Sequence, residues 1–439
     1  MKTLIRFFAA FVLISLTIQA MAQQPSLQYF RPYDQSGINM FETPKDDMTP
    51  FDGVKVRVGG NFAQQFQMLD HEHGAGTILD PNGDGVNENE LFPLNSGFNL
   101  ATANLNIDAQ LGDGVRLSLI TYLSSRHHSE AWVKGGYIQF DKLPFAPGLD
   151  DLMKNFTIRL GHMEINYGDA HFRRTDNGNA LYNPFVGNLI MDAFNTEIGG
   201  EIYFQKNGAI AMVGVTGGEI KGNIKDAGDA KPNDDNANPA PTFLVKLGYD
   251  SDVSEDLRIR LTGSMYYTGS SASNSLYSGD RGGSRYYLVM ENLAAAEGTN
   301  FRSGRWNPGF SDNVTAFMIN PFVKFQGLEL FGTYEMAKGR KSGEAEDRTA
   351  TQIAVEAIYR IGEKENVFIG GRYNTVTSET APGTEIQINR IAGSIGWFIN
   401  PHILMKAEYV TQDYNDFPNT DILFEGNFSG LMLEAVVGF

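Results

Sequence analysis

The 439-residue chain sets 35 Lys and Arg against 52 Asp and Glu, a net charge of −17, and contains 48 Gly, 30 Phe, 18 Tyr and no cysteine. Without cysteine, disulfides, thiolate metal sites and a cysteine nucleophile are excluded, and the acidity argues against nucleic acid, whose binding requires Lys and Arg to neutralise phosphates. Abundant glycine and aromatic residues, with helix formers not set at helical spacing, mark a β-rich chain.

Residues 1–22 differ from everything after them. Lys2 and Arg6 form a positive start, 7–18 is an apolar run too short to stop in a bilayer, and Ala20-Met21-Ala22 offers the small-x-small pattern of a cleavage site. They predict a signal peptide and a mature chain beginning at Gln23, with 33 basic and 52 acidic residues and a net charge of −19. Beyond Ala22 no segment approaches the roughly 20 consecutive apolar residues of a spanning helix; the densest run, 209–215, has seven residues and holds a glycine.

From residue 54 onward, period-two segments of about ten residues alternate with connections rich in Gly, Asn, Asp and Pro, the pattern of membrane-spanning strands. Val54-Lys55-Val56-Arg57-Val58 is a clear case, with valines on one face and cations on the other. The pattern predicts sixteen strands, at 54–69, 97–111, 115–125, 131–141, 156–164, 196–206, 209–217, 242–250, 256–268, 313–325, 328–338, 348–361, 366–376, 386–398, 402–412 and 428–439.

The connections alternate between two kinds. Gly112-Asp113-Gly114, Asn207-Gly208, Gln326-Gly327, 363–365 and Asn400-Pro401 are tight, and such residues supply the backbone angles of short hairpins. The others, 70–96, 126–130, 165–195, 218–241, 269–312, 339–347, 377–385 and 413–427, are mostly long; 142–155 is an exception, a long connection on the side of the short turns. Short turns on one rim and long loops on the other predict an all-β fold, a 16-stranded antiparallel transmembrane β-barrel over 51–439 in the outer membrane of a two-membrane bacterium, with the loops outside the cell. Residues 23–50 lack clear periodicity and are expected either in the periplasm or in the lumen.

Leu431, Leu433, Ala435, Val437 and Phe439 share one face of the last strand, and a terminal phenylalanine there resembles the assembly signal of outer-membrane proteins. Tyr122, Phe140, Phe156, Phe204, Tyr249, Tyr334, Tyr373, Trp397 and Tyr409 fall near strand ends, as an interfacial girdle requires. A ring of sixteen strands leaves an aqueous channel where eight would be filled by side chains, so size argues for conduction.

Loop 165–195 mixes charge (Asp169, His171, Arg173, Arg174, Asp176) with the apolar stretch Leu181-Tyr182-Asn183-Pro184-Phe185-Val186. Leaving that stretch in water is costly, so the loop is expected to fold into the lumen and set those charges across the opening as a pore constriction. Sixteen strands with a constricting third long connection resemble the general trimeric porins, and residues 156–162 (FTIRLGH), a strand feeding into that loop, look like the phosphate-selective porin O/P-like family. The resemblance implies a porin, a homotrimer, passage of small hydrophilic or anionic solutes, and inward Arg and Lys arrays that this sequence matches only loosely.

On the polar faces stand thirteen cations, Lys55, Arg57, Arg116, Lys134, Arg159, Lys246, Arg258, Arg260, Lys324, Arg360, Arg372, Arg390 and Lys406, against eight acids, Asp108, Glu197, Glu201, Glu329, Glu335, Glu356, Glu408 and Glu434. Charged walls bias ion entry, which predicts a weak anion preference; the alternative is that the charges pair and brace the wall. Asp80, Asn82 and Asp84, with Gly85 after them, resemble the first half of an EF-hand calcium loop, although the twelfth position is Leu91. No cofactor is expected beyond that candidate calcium ion. The only histidine pair, His127-His128, would point to opposite sides of a strand, and no nucleophile elbow or phosphate loop is found, so an enzyme is not expected. A surface or adhesive platform without conduction is the competing reading.

Overall fold

The computed structural model describes residues 24–78, 87–127, 129–175, 179–217, 240–271, 273–279, 285–296 and 299–439. Among them sixteen long strands occur: β1 Lys55–Glu72, β2 Thr102–Gly112, β3 Val115–Ser124, β4 Trp132–Phe140, β5 Phe156–Glu164, β6 Thr196–Lys206, β7 Ala209–Thr216 and β8 Thr242–Asp252. The second half comprises β9 Leu257–Thr268, β10 Val314–Phe325, β11 Leu328–Gly339, β12 Arg348–Ile361, β13 Val367–Ala381, β14 Thr384–Asn400, β15 Ile403–Asn415 and β16 Asn427–Gly438. Each pairs antiparallel with the next, and β16 returns to β1 in the register Asn61↔Gly438 to Glu72↔Asn427. The sheet therefore closes. In hydrocarbon an open edge would leave amides and carbonyls unpaired at several kcal/mol each, and closure removes that edge.

Alternation sets the two faces of the wall. In β12, Arg348, Ala350, Gln352, Ala354, Glu356, Ile358 and Arg360 are buried, while Ile353, Val355, Tyr359 and Ile361 are exposed. Their neighbours Leu330, Tyr334, Ile369 and Tyr373 continue an exposed apolar band around the outside. Such a band would be unstable in water and is stable against lipid. The tight turns confirm the local chemistry: Asn207 (φ 51°) and Gly208 (φ 81°) both take positive φ, as a type I′ hairpin requires.

Three expectations need correction. The strand expected over 97–111 breaks at 99–101 into a two-residue bridge, Gly97–Phe98, paired with Phe66 and Gln67, and β2 proper. The long connection expected at 377–385 is instead hairpin, with Glu379↔Glu385 and Ala381↔Thr384 in register around Pro382-Gly383. Thr, Ser and Glu on both faces there erase the period-two signal once the strands leave the bilayer. Tyr122, expected in the girdle, shares parity with Arg116 and Ser118 and lies buried inside the wall.

The lumen is largely filled by chain. Residues 24–54 lie against the wall near the rim of short turns, where the Gln28 amide donates to Gln110 Oε1 (2.9 Å), the Tyr33 hydroxyl to Asp108 (2.6 Å) and the Gln35 amide to the Pro401 carbonyl (2.9 Å). Loop 165–195 occupies the middle, and part of 269–312 packs above it through Tyr277 on Glu335 (2.9 Å) and Tyr286 on Glu408 (2.7 Å). The principal buried apolar cluster, from Leu181, Phe185 and Ile190 to Phe368, Val410 and Met432, lies inside the barrel.

Candidate pore lining and constriction

Loop 165–195 turns inward because the wall facing it offers hydrogen bonds to its backbone. The Val186 amide donates to Glu408 (2.8 Å), the Ile190 amide to Asn374 Oδ1 (2.7 Å) and the Met191 amide to Gln352 Oε1 (2.9 Å). Wall cations take its carbonyls: Arg372 binds Gly187 (2.7 Å), Arg390 binds Asn188 (2.7 Å), and Lys406 binds Ala180, Asn183 and Phe185 (2.8–3.0 Å). These partners lie on β12 to β15, so the loop lines one half of the lumen and leaves the β2 to β5 side less filled. A buried backbone group without a partner costs about 1–3 kcal/mol, so the inward polar residues act as a template for this loop.

The loop charges do not stand across an open hole. Asp169 meets Lys246 (2.6 Å) and Arg260 (2.8 Å), and both cations also hold Glu42 of the N-terminal segment (3.0 and 2.7 Å). Arg173 reaches Asn39, Glu329 (3.5 Å) and Glu356 (3.7 Å), beside the rings of Phe322 and Phe331. Arg174 forms a two-pronged pair with Asp192 (2.7 and 2.8 Å), and His171 bridges Glu164 (2.7 Å) and Asn166 (3.0 Å). Burial opposes charge on Asp192, but Arg174 and Arg305 outweigh it and hold the carboxyl below the usual range. Asp176, and the candidate calcium residues Asp80, Asn82 and Asp84, lie outside the described residues.

All thirteen wall cations and eight wall acids are buried or half-buried, at positions that alternate with the exposed outer residues. Most are paired: Arg116 with Asp108 (3.0 Å), Arg258 with Asp250 (2.7 Å), Arg360 with Glu329 (2.7 Å), Arg372 with Glu356 (2.8 Å) and Lys406 with Glu434 (2.6 Å). Lys55, near the short-turn rim, pairs with Asp52 (2.5 Å). The wall count left out the acids Glu42, Glu164, Asp192 and Asp250, which join Asp169 of the inward loop in these pairs; Glu42 sits in an aperiodic segment whose entry into the lumen has no local signature. Bracing is therefore what most of these charges do.

A different charge balance holds beside β3 to β5. A cavity of about 170 Å3 lies between this wall and the inner segments, lined by Arg31, Arg116, Lys134, Arg159 and Arg174, with Glu164 the one carboxylate. Arg31 donates to the carbonyls of Gly37 and Phe172 and stacks on Tyr182 (3.8 Å), and Arg159 donates to Gln139 and Tyr203. Neither has a carboxylate within 4 Å among the described residues. Arg57, stacked on Phe30, is likewise without one. Below the cavity a wider cleft of about 880 Å3 opens at the short-turn rim, lined by Glu42, Lys45, Asp250, Arg258 and Arg260. Phe41 lines both spaces, packed against Phe172 (5.7 Å) and Phe322 (5.4 Å). The N-terminal segment is thus the partition between them.

A closed antiparallel sheet, apolar outside and polar within, with short turns on one rim and long loops on the other, defines a bacterial outer-membrane β-barrel. Solved structures agree. The chain is similar to the anion-selective porin of Comamonas acidovorans (9% identity, 88% of this chain and 100% of that one, TM-score 0.52). It is also similar to OprB of Pseudomonas putida (8%, 88% and 94%, TM-score 0.50) and to the trimer form of OmpT, an outer membrane protein of Vibrio cholerae (13%, 88% and 100%, TM-score 0.50). No protein-family model matches the sequence, and no curated protein matches it. The fold is that of the outer-membrane porins; the phosphate-selective porin family suggested by residues 156–162 is not matched.

Proposed function

We propose that the barrel is a porin admitting small hydrophilic solutes by passive diffusion, without enzymatic activity, and with a weak preference for anions. The observation that carries the reading is the cavity beside β3 to β5, where five cations face one carboxylate and two of the guanidinium groups, Arg31 and Arg159, have no carboxylate within 4 Å among the described residues. A narrow passage with fixed charge of one sign attracts the opposite ion. The wall opposite is occupied by loop 165–195, so solute crosses on the β3 to β5 side, past Arg116, Lys134 and Arg159 and between His171, Arg174 and Phe41. Asp169 and Arg173 brace the constriction from behind.

The likeness of residues 156–162 to phosphate-selective porins supports small anions as the solute class, and the trimeric form of the V. cholerae neighbour supports a homotrimer. Calcium binding by Asp80, Asn82 and Asp84 belongs to the same reading and is tested by titration calorimetry. Reversal potentials across planar bilayers in a salt gradient test the preference. An excess of chloride over potassium permeability is expected, and an excess of potassium contradicts it. A non-conducting surface platform would give no current steps at all.

A further inference from the structure

The connection 142–155 is long although it lies on the rim of tight turns, and its residues account for the length. Two short helical turns, Pro147–Leu149 and Asp150–Met153, follow one another. Met153 is buried against the barrel, whereas Phe145 (74% exposed), Leu149 (44%) and Leu152 (52%) are left uncovered. Leu149 and Leu152, three residues apart, share one side of these turns, and Phe145 precedes them in the chain, before the non-helical Ala146 (φ −140°, ψ 64°). Asp150, Asp151 and Lys154 alternate with them, and Lys154 pairs with Asp151 at 2.6 Å.

The apolar side is continuous with the lipid-facing surface. Phe140 belongs to the outer face of β4, since its neighbour Gln139 is fully buried inside. Phe145 packs edge-on against it, with ring centroids 6.2 Å apart. Beside it Phe156 and Phe204 pair across β5 and β6, 5.2 Å apart, on the same outer face. Phe145 therefore extends the outer aromatics in the manner of a girdle at the boundary between lipid and water, and the exposed Leu149 and Leu152 follow it in the same connection.

We propose that 142–155 is a membrane foot, lying in the interface of the periplasmic leaflet with Phe145, Leu149 and Leu152 among the upper acyl chains and Asp150, Asp151 and Lys154 toward water. Short amphipathic segments bind in this way when their apolar side matches the depth of the headgroup boundary. The foot anchors the β4–β5 corner, from which the cationic wall of the cavity rises.

The absence of cysteine makes the test direct. Full-length L149C and L152C, each labelled with a polarity-sensitive fluorophore, are reconstituted in phosphatidylethanolamine and phosphatidylglycerol vesicles, with K364C in the 362–366 turn, on the same rim across the barrel, as the reference. Expected are blue-shifted emission, strong quenching by lipids brominated near the headgroup and weak quenching by iodide at 149 and 152, with the reverse at 364. Iodide quenching at 149 and 152 equal to that at 364 would overturn the proposal. So would shielding from iodide that disappears on dilution of protein in lipid, since contact between copies or with another protein would then cover the patch. Neither outcome depends on whether the barrel conducts.

Discussion

Replacing Arg159 by Gln removes one guanidinium that faces the cavity without a carboxylate, and its effect on ion selectivity can be worked out in advance. An ion passing about 8 Å from that charge, at an effective dielectric of about 40 between protein and water, interacts with it by about 1 kcal/mol. Salt at about 0.1 M, with a Debye length of about 10 Å, lowers this to roughly 0.4 kcal/mol. An anion loses that attraction and a cation loses the equal repulsion, so the discrimination changes by roughly 0.8 kcal/mol, or about fourfold in permeability ratio. Arg159→Gln should therefore move the chloride-to-potassium ratio of the purified protein, read from reversal potentials, about fourfold toward potassium. Arg31→Gln should do the same from the opposite side of the cavity. Arg360→Gln, whose partner Glu329 lies on the braced side, is the control. A ratio unchanged by both Arg159→Gln and Arg31→Gln, with conductance intact, would refute a path along β3 to β5.

Other outcomes follow from the same contacts. Phe41→Ala opens the partition between the cavity and the lower cleft, so single-channel conductance should rise; a chain lacking 24–50 should show a larger rise, and unchanged conductance in both would place the passage elsewhere. Glu408→Ala strips the Val186 and Gly187 amides of their common acceptor and removes the Tyr286 hydroxyl's contact with it, at about 1–3 kcal/mol for each buried amide left unpaired. The temperature at which the folded band shifts on a gel should fall, and proteolysis within 165–195 should speed up. Removing Phe439, whose backbone exchanges two hydrogen bonds with Gly60 at the closing seam, should lower the amount of folded barrel recovered from outer membranes relative to Phe439→Tyr.

Much of the wall was legible because lipid on one side and water on the other impose a strict period of two, and Lys55, Arg57, Arg116 and Glu356 could be sided from neighbours alone. Legibility fails where that constraint lapses. Thr377 to Glu385 lie beyond the bilayer, so polar residues occupy both faces of a hairpin that reads as loop. The inward path of 165–195 was foreshadowed by Leu181 to Val186, too apolar for a surface loop. Glu42, by contrast, sits in a segment with no period, and its meeting with Lys246 and Arg260 depends on tertiary closure that no local pattern encodes. For that reason the lumen looked modestly cationic as a whole, whereas the positive charge is concentrated beside β3 to β5.

The most direct test of the account is the current through the purified protein in a planar bilayer. Discrete conductance steps, with chloride favoured over potassium in a salt gradient and that bias weakened by Arg159→Gln, are the predicted result. A folded, heat-modifiable barrel that gives no steps, with or without residues 24–50, would contradict it.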